Sequence, residues 1–286
     1  MVYYTDKSAD RQLFIAKSCN ILYNNKKHPH KEAVILANIL EICVDSYASA
    51  MAAINGGADR LELCSALAVG GLTPSPALLK QIRQASNIPL RCLMRTRGGD
   101  FLYTKEEISQ MADEITMLRK AGADGFVIGC LTSFGDLDAE AMAPLIAAAD
   151  GCGLTLHRCI DVSVNPLKTY RDAAAMGIDT VLTSGAAGNC MAGKDMIGQL
   201  LSIRDSEGGP EVLIGAGVNA KVIAAFRRDY PASRAFHMSG KTEIESGMLF
   251  RREGVPMGLP GLDEWHIQQT SEEAVRAARN VLYGLT

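Results

Sequence analysis

The sequence predicts an α/β protein that consists of a single (β/α)8 TIM-barrel domain preceded by an N-terminal extension. Strand patterns alternate with helical patterns eight times from Ile39 onward. A similar junction recurs between a helix end and the next strand, as GADRLEL at Gly57, GADGFVI at Gly122 and GIDTVLT at Gly177. A doubly wound open sheet would need blunted edge strands and a GxGxxG turn after its first strand, and the sequence has neither.

The first βα unit shows the plan of the others. Its strand is predicted at Ile39–Asp45 and its helix at 46–56, where Gly57 supplies a left-handed C-cap before a second strand at Arg60–Cys64. Further strands are predicted at 89–95, after the junctions at 122 and 177, and at 154–160, 211–215 and 234–238. The remaining helices are predicted at 74–85, 104–121, 138–150, 165–176, 193–205, 219–228 and 271–284.

Residues 1–38 differ from the rest of the chain and are predicted to lie outside the barrel domain, which spans 39–286. They contain the polar run KKHPHK at Lys26–Lys31 and no strand signal with a partner. Two apolar pieces, Leu13–Ile15 and Ile21–Tyr23, leave open whether the extension forms a short packed helix or remains disordered. In either case we expect it to be dispensable for folding.

The composition is that of a soluble globular protein, with 48% hydrophobic and 21% charged residues. A formal net charge of −3 and a pI near 6.0 provide no electrostatic basis for binding nucleic acid or an anionic membrane surface. No apolar run approaches the ~18 residues that a membrane-spanning helix needs. The eight cysteines are spread singly, without a CxxC motif or a signal peptide, and therefore indicate a reducing, cytoplasmic location.

Polar side chains alternate with aliphatic ones in the barrel strands, and active sites in this fold lie at the C-terminal strand ends. Carboxylates on buried parallel strands are unusual and call for a functional or structural reason. The residues predicted to face the barrel interior or its mouth are Glu41, Cys43, Asp45, Glu62, Cys64, Arg95, His157, Cys159, Asp161, Thr183, His237 and Ser239.

An anion site is one function that these residues suggest. Arg95 and Arg97, followed by the pair Gly98–Gly99, come directly after a strand, and the guanidinium and backbone N–H groups of this loop could hold a carboxylate or phosphate. Alternatively, Arg95 pairs with Glu62 or Glu41 for structural reasons. Further anion contacts are predicted from His237 and from the short loops after the last three strands, at Ser184, Gly185, Gly217 and Ser239.

Acid–base catalysis is a second possibility. Glu62 and His157 are the predicted acid–base pair, with Glu41 and Asp161 in support. The structural alternatives are that the histidine is a hydrogen-bonded core residue and that Asp161 caps the helix near Asn165.

A soft metal site is the third possibility. Neighbouring parallel strands lie ~4.8 Å apart, so the thiols of Cys43 and Cys64 are predicted to sit at one depth and to reach a single Cu(I) ion. Either cysteine taken alone is more simply explained as a small core residue.

Several segments resemble the signature segments of the CutC family, in the same order and spacing. They are LEICVDS at Leu40, GADRLELC at Gly57, GGLTPS at Gly70, RTRGGDF at Arg95, HRCID at His157 and LTSG at Leu182. The resemblance covers residues 39–250 and implies a cytosolic, oligomeric TIM-barrel protein of copper homeostasis, with Cys43 and Cys64 as Cu(I) ligands.

The chain departs from the family's usual RPRGGDF and HRAFD segments at Thr96, Cys159 and Ile160. Cys159, predicted to face inward, would add a third thiol. Two functions stay open, a Cu(I)-binding homeostasis protein and a metal-independent lyase, isomerase or hydrolase acting on a small anionic or phosphorylated metabolite. The apolar tail Leu259–Trp265 adds to the expectation of a homo-oligomer, a dimer or tetramer.

Overall fold

The computed structural model describes residues 37–255, 257–258 and 263–285. Eight parallel strands close into a barrel in chain order, which confirms the predicted fold class. The barrel strands are β1 Ile39–Val44, β2 Arg60–Leu63, β3 Leu90–Leu93, β4 Gly125–Ile128, β5 Gly153–Leu156, β6 Thr180–Thr183, β7 Glu211–Ile214 and β8 Ala235–Met238. The helices are α1 Tyr47–Gly56, α2 Pro76–Ala85, α3 Lys105–Ala121, α4 Ala139–Ala149, α5 Pro166–Ala175, α6 Lys194–Glu207, α7 Ala220–Asp229 and α8 Glu272–Tyr283.

Local sequence explains where the helices begin and end. The longest one, α3, begins with a capping box in which the Thr104 hydroxyl accepts from the backbone N–H of Glu107 and the Glu107 carboxylate accepts from that of Thr104. The α1 helix ends at Gly57, whose φ of 91° is a left-handed conformation that glycine adopts without strain. Such caps satisfy backbone groups that a helix terminus otherwise leaves unpaired.

The core has two layers, as the alternation of side chains predicts. Ile42 and Leu61 belong to the large apolar cluster that includes residues of the helices. Cys43 and Cys64 belong instead to a small cluster with Leu93 and Val127 from β3 and β4. The polar faces of β1 and β2 are therefore segregated from the strand–helix core.

The fifth strand differs from its prediction. It ends at Leu156, and Arg158–Val162 form a 3₁₀ turn in which the His157 ring accepts a hydrogen bond from the backbone N–H of Cys159. Strand alternation therefore stops at His157 and does not govern Cys159 or Asp161.

A two-stranded antiparallel arm between β8 and α8 was not predicted. It consists of β9 Lys241–Glu245 and β10 His266–Thr270. The arm is anchored to the barrel where the backbone N–H of Thr270 donates to Ser49 Oγ at 3.1 Å and its hydroxyl donates to the carbonyl of Ser239 at 3.1 Å. The strand β9 is exposed on every residue, which explains why it carries no apolar strand pattern.

Two predictions concern residues that the structure describes only in part. The predicted extension falls outside the described residues except for its last two, and the apolar tail Leu259–Trp265 is described only from Asp263. The proposed roles of both segments stay predictions. No helix among the described residues has the length and apolar character needed to cross a bilayer.

Candidate functional site

The register of strands β8, β1 and β2 brings the polar side chains of the site together. Glu41 of β1 pairs in register with His237 of β8 on one side and with Arg60 of β2 on the other. Cys43 lies one pleat farther along β1 and pairs with Glu62. Glu41, Cys43 and Glu62 thus lie beside His237 of β8.

Glu41 is the centre of a buried ion network. Its carboxylate is fully buried, accepts from Arg60 Nε, and lies 2.8 Å from His237 Nδ1 through Oε1. Burial alone would raise the pKa of Glu41, but the charges of Arg60 and His237 lower it to about 2. The salt bridge predicted between Arg95 and Glu41 is therefore replaced by one with Arg60.

His237 lies between two carboxylates, since its Nε2 atom is 3.7 Å from Glu62 Oε2. Burial would lower the pKa of His237, but Cys43, Glu62 and Glu41 together raise it well above its usual value. The pKa of Glu62 is raised, whereas that of Glu41 is lowered, because the effect of burial on Glu62 outweighs the attraction of nearby positive charges.

Cys43, Glu62 and His237 form a group that could hold a metal ion. One ligand atom from each residue lies within 4.8 Å of the others. The imidazole is held through Nδ1 by Glu41, an arrangement that orients metal-binding histidines in proteins.

Cys64 is placed differently from its predicted position. Because Cys43 pairs in register with Glu62, Cys64 lies two residues farther along and the thiols are not at the same depth. The Cys64 thiol donates to Glu62 Oε2 at 3.4 Å. Burial, followed by the Glu62 charge, raises the pKa of Cys64 well above its usual value.

Cys159 does not join the thiols of β1 and β2, contrary to prediction. It is fully buried in the large apolar cluster with residues such as Phe126 and Ile128. Burial and the nearby Cys130 raise its pKa well above the usual range. The 3₁₀ turn that follows β5 accounts for the difference, since it breaks the two-residue alternation.

A cavity of about 260 Å³ opens beside the metal-capable group. It is lined by Cys43, Glu62, Leu67, Gly70, Leu93, Arg95, Phe101, His157, Arg158, Leu182, His237, Ser239 and Lys241. A larger depression of about 570 Å³ beside Tyr47 and Gln81 has no charged, histidine or cysteine side chain on its walls. The chemistry of the described residues is therefore concentrated at the barrel mouth.

Arg95 lines this cavity, and both predictions of a carboxylate partner for it are wrong within the described part of the chain. Its Nη1 donates to the carbonyls of Val69 and Gly71 at 3.0 and 3.2 Å, and its Nη2 donates to that of Gly99 at 2.8 Å. Its guanidinium carbon lies 5.3 Å from the centre of the Phe101 ring. Arg95 thus shapes two loops and keeps an unneutralised charge.

Arg97 is not on the cavity wall. It binds Glu107 of α3 at 2.7 Å and Asp100 at 3.1 Å, and it also donates to the carbonyl of Leu102 at 2.8 Å. These contacts tie its loop to the start of the helix, so its donors are engaged within the protein.

His157 lines the cavity as a neutral ring. Burial, and then the charge of Arg95, lower its pKa to about 3. Its Nδ1 accepts from the backbone N–H of Cys159 at 3.2 Å, so the ring proton resides on Nε2, which has no hydrogen-bond partner among the described residues. The ring packs against Phe101 with centroids 4.6 Å apart.

Asp161 neither lies on the cavity wall nor caps α5, which begins instead at the side chain of Asn165. Its carboxylate accepts from the Thr183 hydroxyl at 2.6 Å and from the backbone N–H of Ser184 at 2.9 Å. It also accepts from the N–H of Ala186 at 3.1 Å. An internal carboxylate thus occupies backbone donors that an anion at the β6 loop would use.

The loop residues predicted to bind anions divide into two groups. Ser239 and His237 line the cavity, whereas Ser184, Gly185 and Gly217 do not. Leu182, which packs with Leu213 and Ala235, is the residue of β6 that lines the cavity, so the prediction that Thr183 faces inward is wrong. The Thr183 hydroxyl donates to Asp161 instead. Sequence reasoning missed Phe101, Arg158 and Lys241, although the first two lie inside the segments RTRGGDF and HRCID.

Comparison with known proteins matches the whole of the barrel sheet, from β1 to β8, to one family. The CutC family model matches residues 38–242 of the chain. The chain belongs to the CutC family. A family protein CutC of Chromobacterium violaceum is 40% identical over 245 residues, which cover 85% of this chain and 98% of that protein. The human copper homeostasis protein cutC homolog is 36% identical over 249 residues, which cover 85% and 90% of the two chains.

The fold of a solved CutC structure also agrees. CutC from Streptococcus agalactiae superposes with a TM-score of 0.66 at 26% identity, covering 71% of this chain and 98% of that one. The CutC match ends at residue 242, so most of the arm formed by β9 and β10 lies beyond it. The metal-capable group of Cys43, Glu62 and His237 lies entirely within the matched region.

Proposed function

We propose that this CutC chain acts in copper homeostasis by binding Cu(I) at the mouth of its barrel. The observation that carries the proposal is the convergence of a thiol, an imidazole and a carboxylate, from Cys43, His237 and Glu62, within 4.8 Å. Cu(I) is a soft ion that favours thiolate and also accepts imidazole nitrogen. Copper is here the cargo of the protein.

The donor set fits such a cargo. Cys43 would provide the thiolate and His237 Nε2 the nitrogen, because Nδ1 of His237 is engaged by Glu41. Cys64 is the second sulfur donor in the proposal, reached when its thiol gives up the hydrogen bond to Glu62. Binding requires that the ligands lose their protons, so the apparent affinity should rise with pH.

The test is an anaerobic titration with Cu(I) against a chromogenic competitor. We expect one ion per chain, loss of binding in Cys43→Ser and in the Cys43→Ser/Cys64→Ser double variant, and weaker binding in Cys64→Ser alone. Cys190→Ser is the matched control, since it removes a buried thiol that does not line the cavity. Unchanged binding by Cys43→Ser would reject the site.

A second candidate function, catalysis on a small anionic or phosphorylated metabolite, is favoured by the cavity itself. Glu62 and His157, the predicted acid–base residues, line the same 260 Å³ space. In this proposal Glu62, with its raised pKa, would transfer the proton, and neutral His157 would donate a hydrogen bond from Nε2 to the negative charge that develops on the substrate. The test is a screen of metal-free protein against phosphorylated sugars and small carboxylates, in which conversion should disappear in Glu62→Gln.

We also infer a cytoplasmic location and self-association. Six buried cysteines carry free thiols, as is usual in a reducing compartment. Leu249 is 101% exposed and Phe250 is 66% exposed beside the arm, and apolar surface of this kind favours association. Light scattering at micromolar concentration should give at least a dimer, and a monomeric mass would contradict the inference.

A further inference from the structure

The mouth cavity carries more positive than negative charge on its walls. Arg95 and Lys241 line it and form no ion pair among the described residues. Arg158 also lines it, but its guanidinium is engaged by Asp161 at 2.7 Å. Glu62 is the one carboxylate on the described walls, and it is turned to His237 and Cys64.

Two hydrogen-bond donors on this wall have no acceptor within the part of the chain that the structure describes. The guanidinium of Arg95 has five N–H groups, of which three are donated to carbonyls, and Nε is without a partner. His157 is 5% exposed, and its protonated Nε2 is likewise without a partner. Native proteins rarely bury such donors unless water or a ligand accepts their hydrogen bonds.

Phe101 packs against both side chains that carry these donors. Its ring packs on the Arg95 guanidinium at 5.3 Å and on the His157 ring at 4.6 Å. Both unpartnered nitrogens are shielded from solvent. All three residues line the mouth cavity, so both donors lie in the wall to which Phe101 belongs.

Lys241 lines the same cavity as Arg95 and His157, although it is distant from both in the sequence. It is the first residue of β9 and pairs in register with Thr270, whose own contacts anchor the arm to the barrel. The backbone of Lys241 is thereby held at the cavity edge, and its side chain is exposed.

We propose that the mouth cavity binds a small organic acid, whose carboxylate is held by Arg95, His157 Nε2 and Lys241. Arg95 has two N–H groups left, the number that a carboxylate accepts in a bidentate pair. At about 260 Å³ the cavity lies below the ~300–1,000 Å³ of sites for drug-sized ligands, which restricts the ligand to a small metabolite.

A carboxylate suits this site better than a phosphate. The backbone donors of the β6 loop, which were predicted to contact an anion, are already occupied by Asp161. This inference deepens the second proposed function by naming its ligand class, and it holds whether or not the acid is converted. It does not depend on copper, because none of the three residues belongs to the metal-capable group.

The experiment uses full-length protein freed of metal with a chelator. Thermal shift and calorimetry are measured with acetate, pyruvate, malonate and succinate, and separately with inorganic phosphate and sulfate. We expect at least one carboxylate to bind and raise the melting temperature, with phosphate and sulfate at least tenfold weaker. Ligands that bind only the folded state stabilise it in proportion to their concentration over Kd.

Three variants test the residues. His157→Phe keeps an aromatic ring against Phe101 but removes the donor, and it should weaken carboxylate binding at least tenfold. Lys241 is exposed, so Lys241→Gln should weaken carboxylate binding only about threefold. Lys221→Gln, on α7, is the matched control and should leave carboxylate binding unchanged. Arg95→Lys should abolish it, but Arg95 also holds two loops, so the His157 and Lys241 variants remain decisive if it fails to fold.

The outcomes separate this proposal from the copper proposal. His157→Phe and Lys241→Gln should load Cu(I) normally. Cys64→Ser, which removes a proposed copper ligand that does not line the cavity, should bind the carboxylate normally. Absence of any carboxylate binding at millimolar concentration would overturn the inference. So would equal affinity for phosphate, or carboxylate affinity that is unchanged in both His157→Phe and Lys241→Gln.

Discussion

The Nδ1 atom of His237 lies 2.8 Å from Oε1 of Glu41, across the hydrogen-bonded strands β8 and β1. This contact fixes the plane of the ring and leaves Nε2 on the side of Glu62 and Cys43. Arg60 holds the same carboxylate from β2. Glu41 therefore acts on the proposed ion through His237 and is a positioning residue.

Replacement of Glu41 should separate this role from simple stability. We expect Glu41→Gln to reduce Cu(I) affinity about 10- to 100-fold, because the imidazole loses its charged partner. The free energy of unfolding should fall by about 3–5 kcal/mol, since Arg60 is left without its buried counter-ion. Competition titration and urea denaturation measure the two effects.

The matched control for this variant is Glu272→Gln, which breaks an exposed pair with Arg276 on α8. It should cost less than about 1 kcal/mol and leave Cu(I) binding unchanged. A Glu41→Gln variant that is destabilised but binds Cu(I) with full affinity would restrict Glu41 to a structural role.

Asp161 is predicted to stabilise the β6 loop. Asp161→Asn removes a charge that accepts from the Thr183 hydroxyl and from two backbone N–H groups, and it should lower the free energy of unfolding by about 3 kcal/mol. Asp172→Asn on α5, which breaks an exposed pair with Lys168, should change it by less than about 0.5 kcal/mol. Equal effects in chemical denaturation would contradict the assignment.

The neutral state of His157 should appear as a pH dependence of stability. The unfolded chain binds this proton with a pKa near 6.5, whereas the folded chain binds it only near 3. Between these values the unfolded state carries more protons, so the free energy of unfolding falls as the pH falls from 6.5 toward 3. The His157 contribution should approach about 1.4 kcal/mol per pH unit.

Denaturation of the wild type and of His157→Phe at several pH values measures this contribution. The variant should be less stable at pH 7, because the N–H of Cys159 loses its acceptor, but its stability should fall less steeply below pH 6. Parallel curves for the two proteins would show that the ring protonates freely in the folded state.

The chain from Ala37 onward is expected to fold alone. The first barrel strand begins at Ile39, and its backbone bonds are made with β2 and β8. A chain that starts at Ala37 should melt within a few degrees of the full-length protein, whereas one that starts at Cys43 should lose the fold because most of β1 is missing. Insolubility of the first chain would move the domain boundary toward the N-terminus.

Local chemistry was sufficient to predict the barrel, because its signals lie within short windows of sequence. Alternation of Ile42 and Val44 with Glu41 and Cys43 predicts which face packs on helices, and Gly57 predicts where α1 ends. The same alternation failed after Leu156, where a hydrogen bond from the Cys159 N–H to His157 begins a 3₁₀ turn.

The sequence by itself determined the eightfold repeat, the C-terminal strand ends as the location of polar chemistry, and the membership of Cys43, Glu62 and His237 in one polar face. Only the tertiary structure decided which of them meet. Register between parallel strands is set by closure of the whole barrel, so it pairs Cys43 with Glu62 and sets Cys64 two residues beyond. For the same reason, no local pattern could show that Arg60, rather than Arg95, neutralises Glu41.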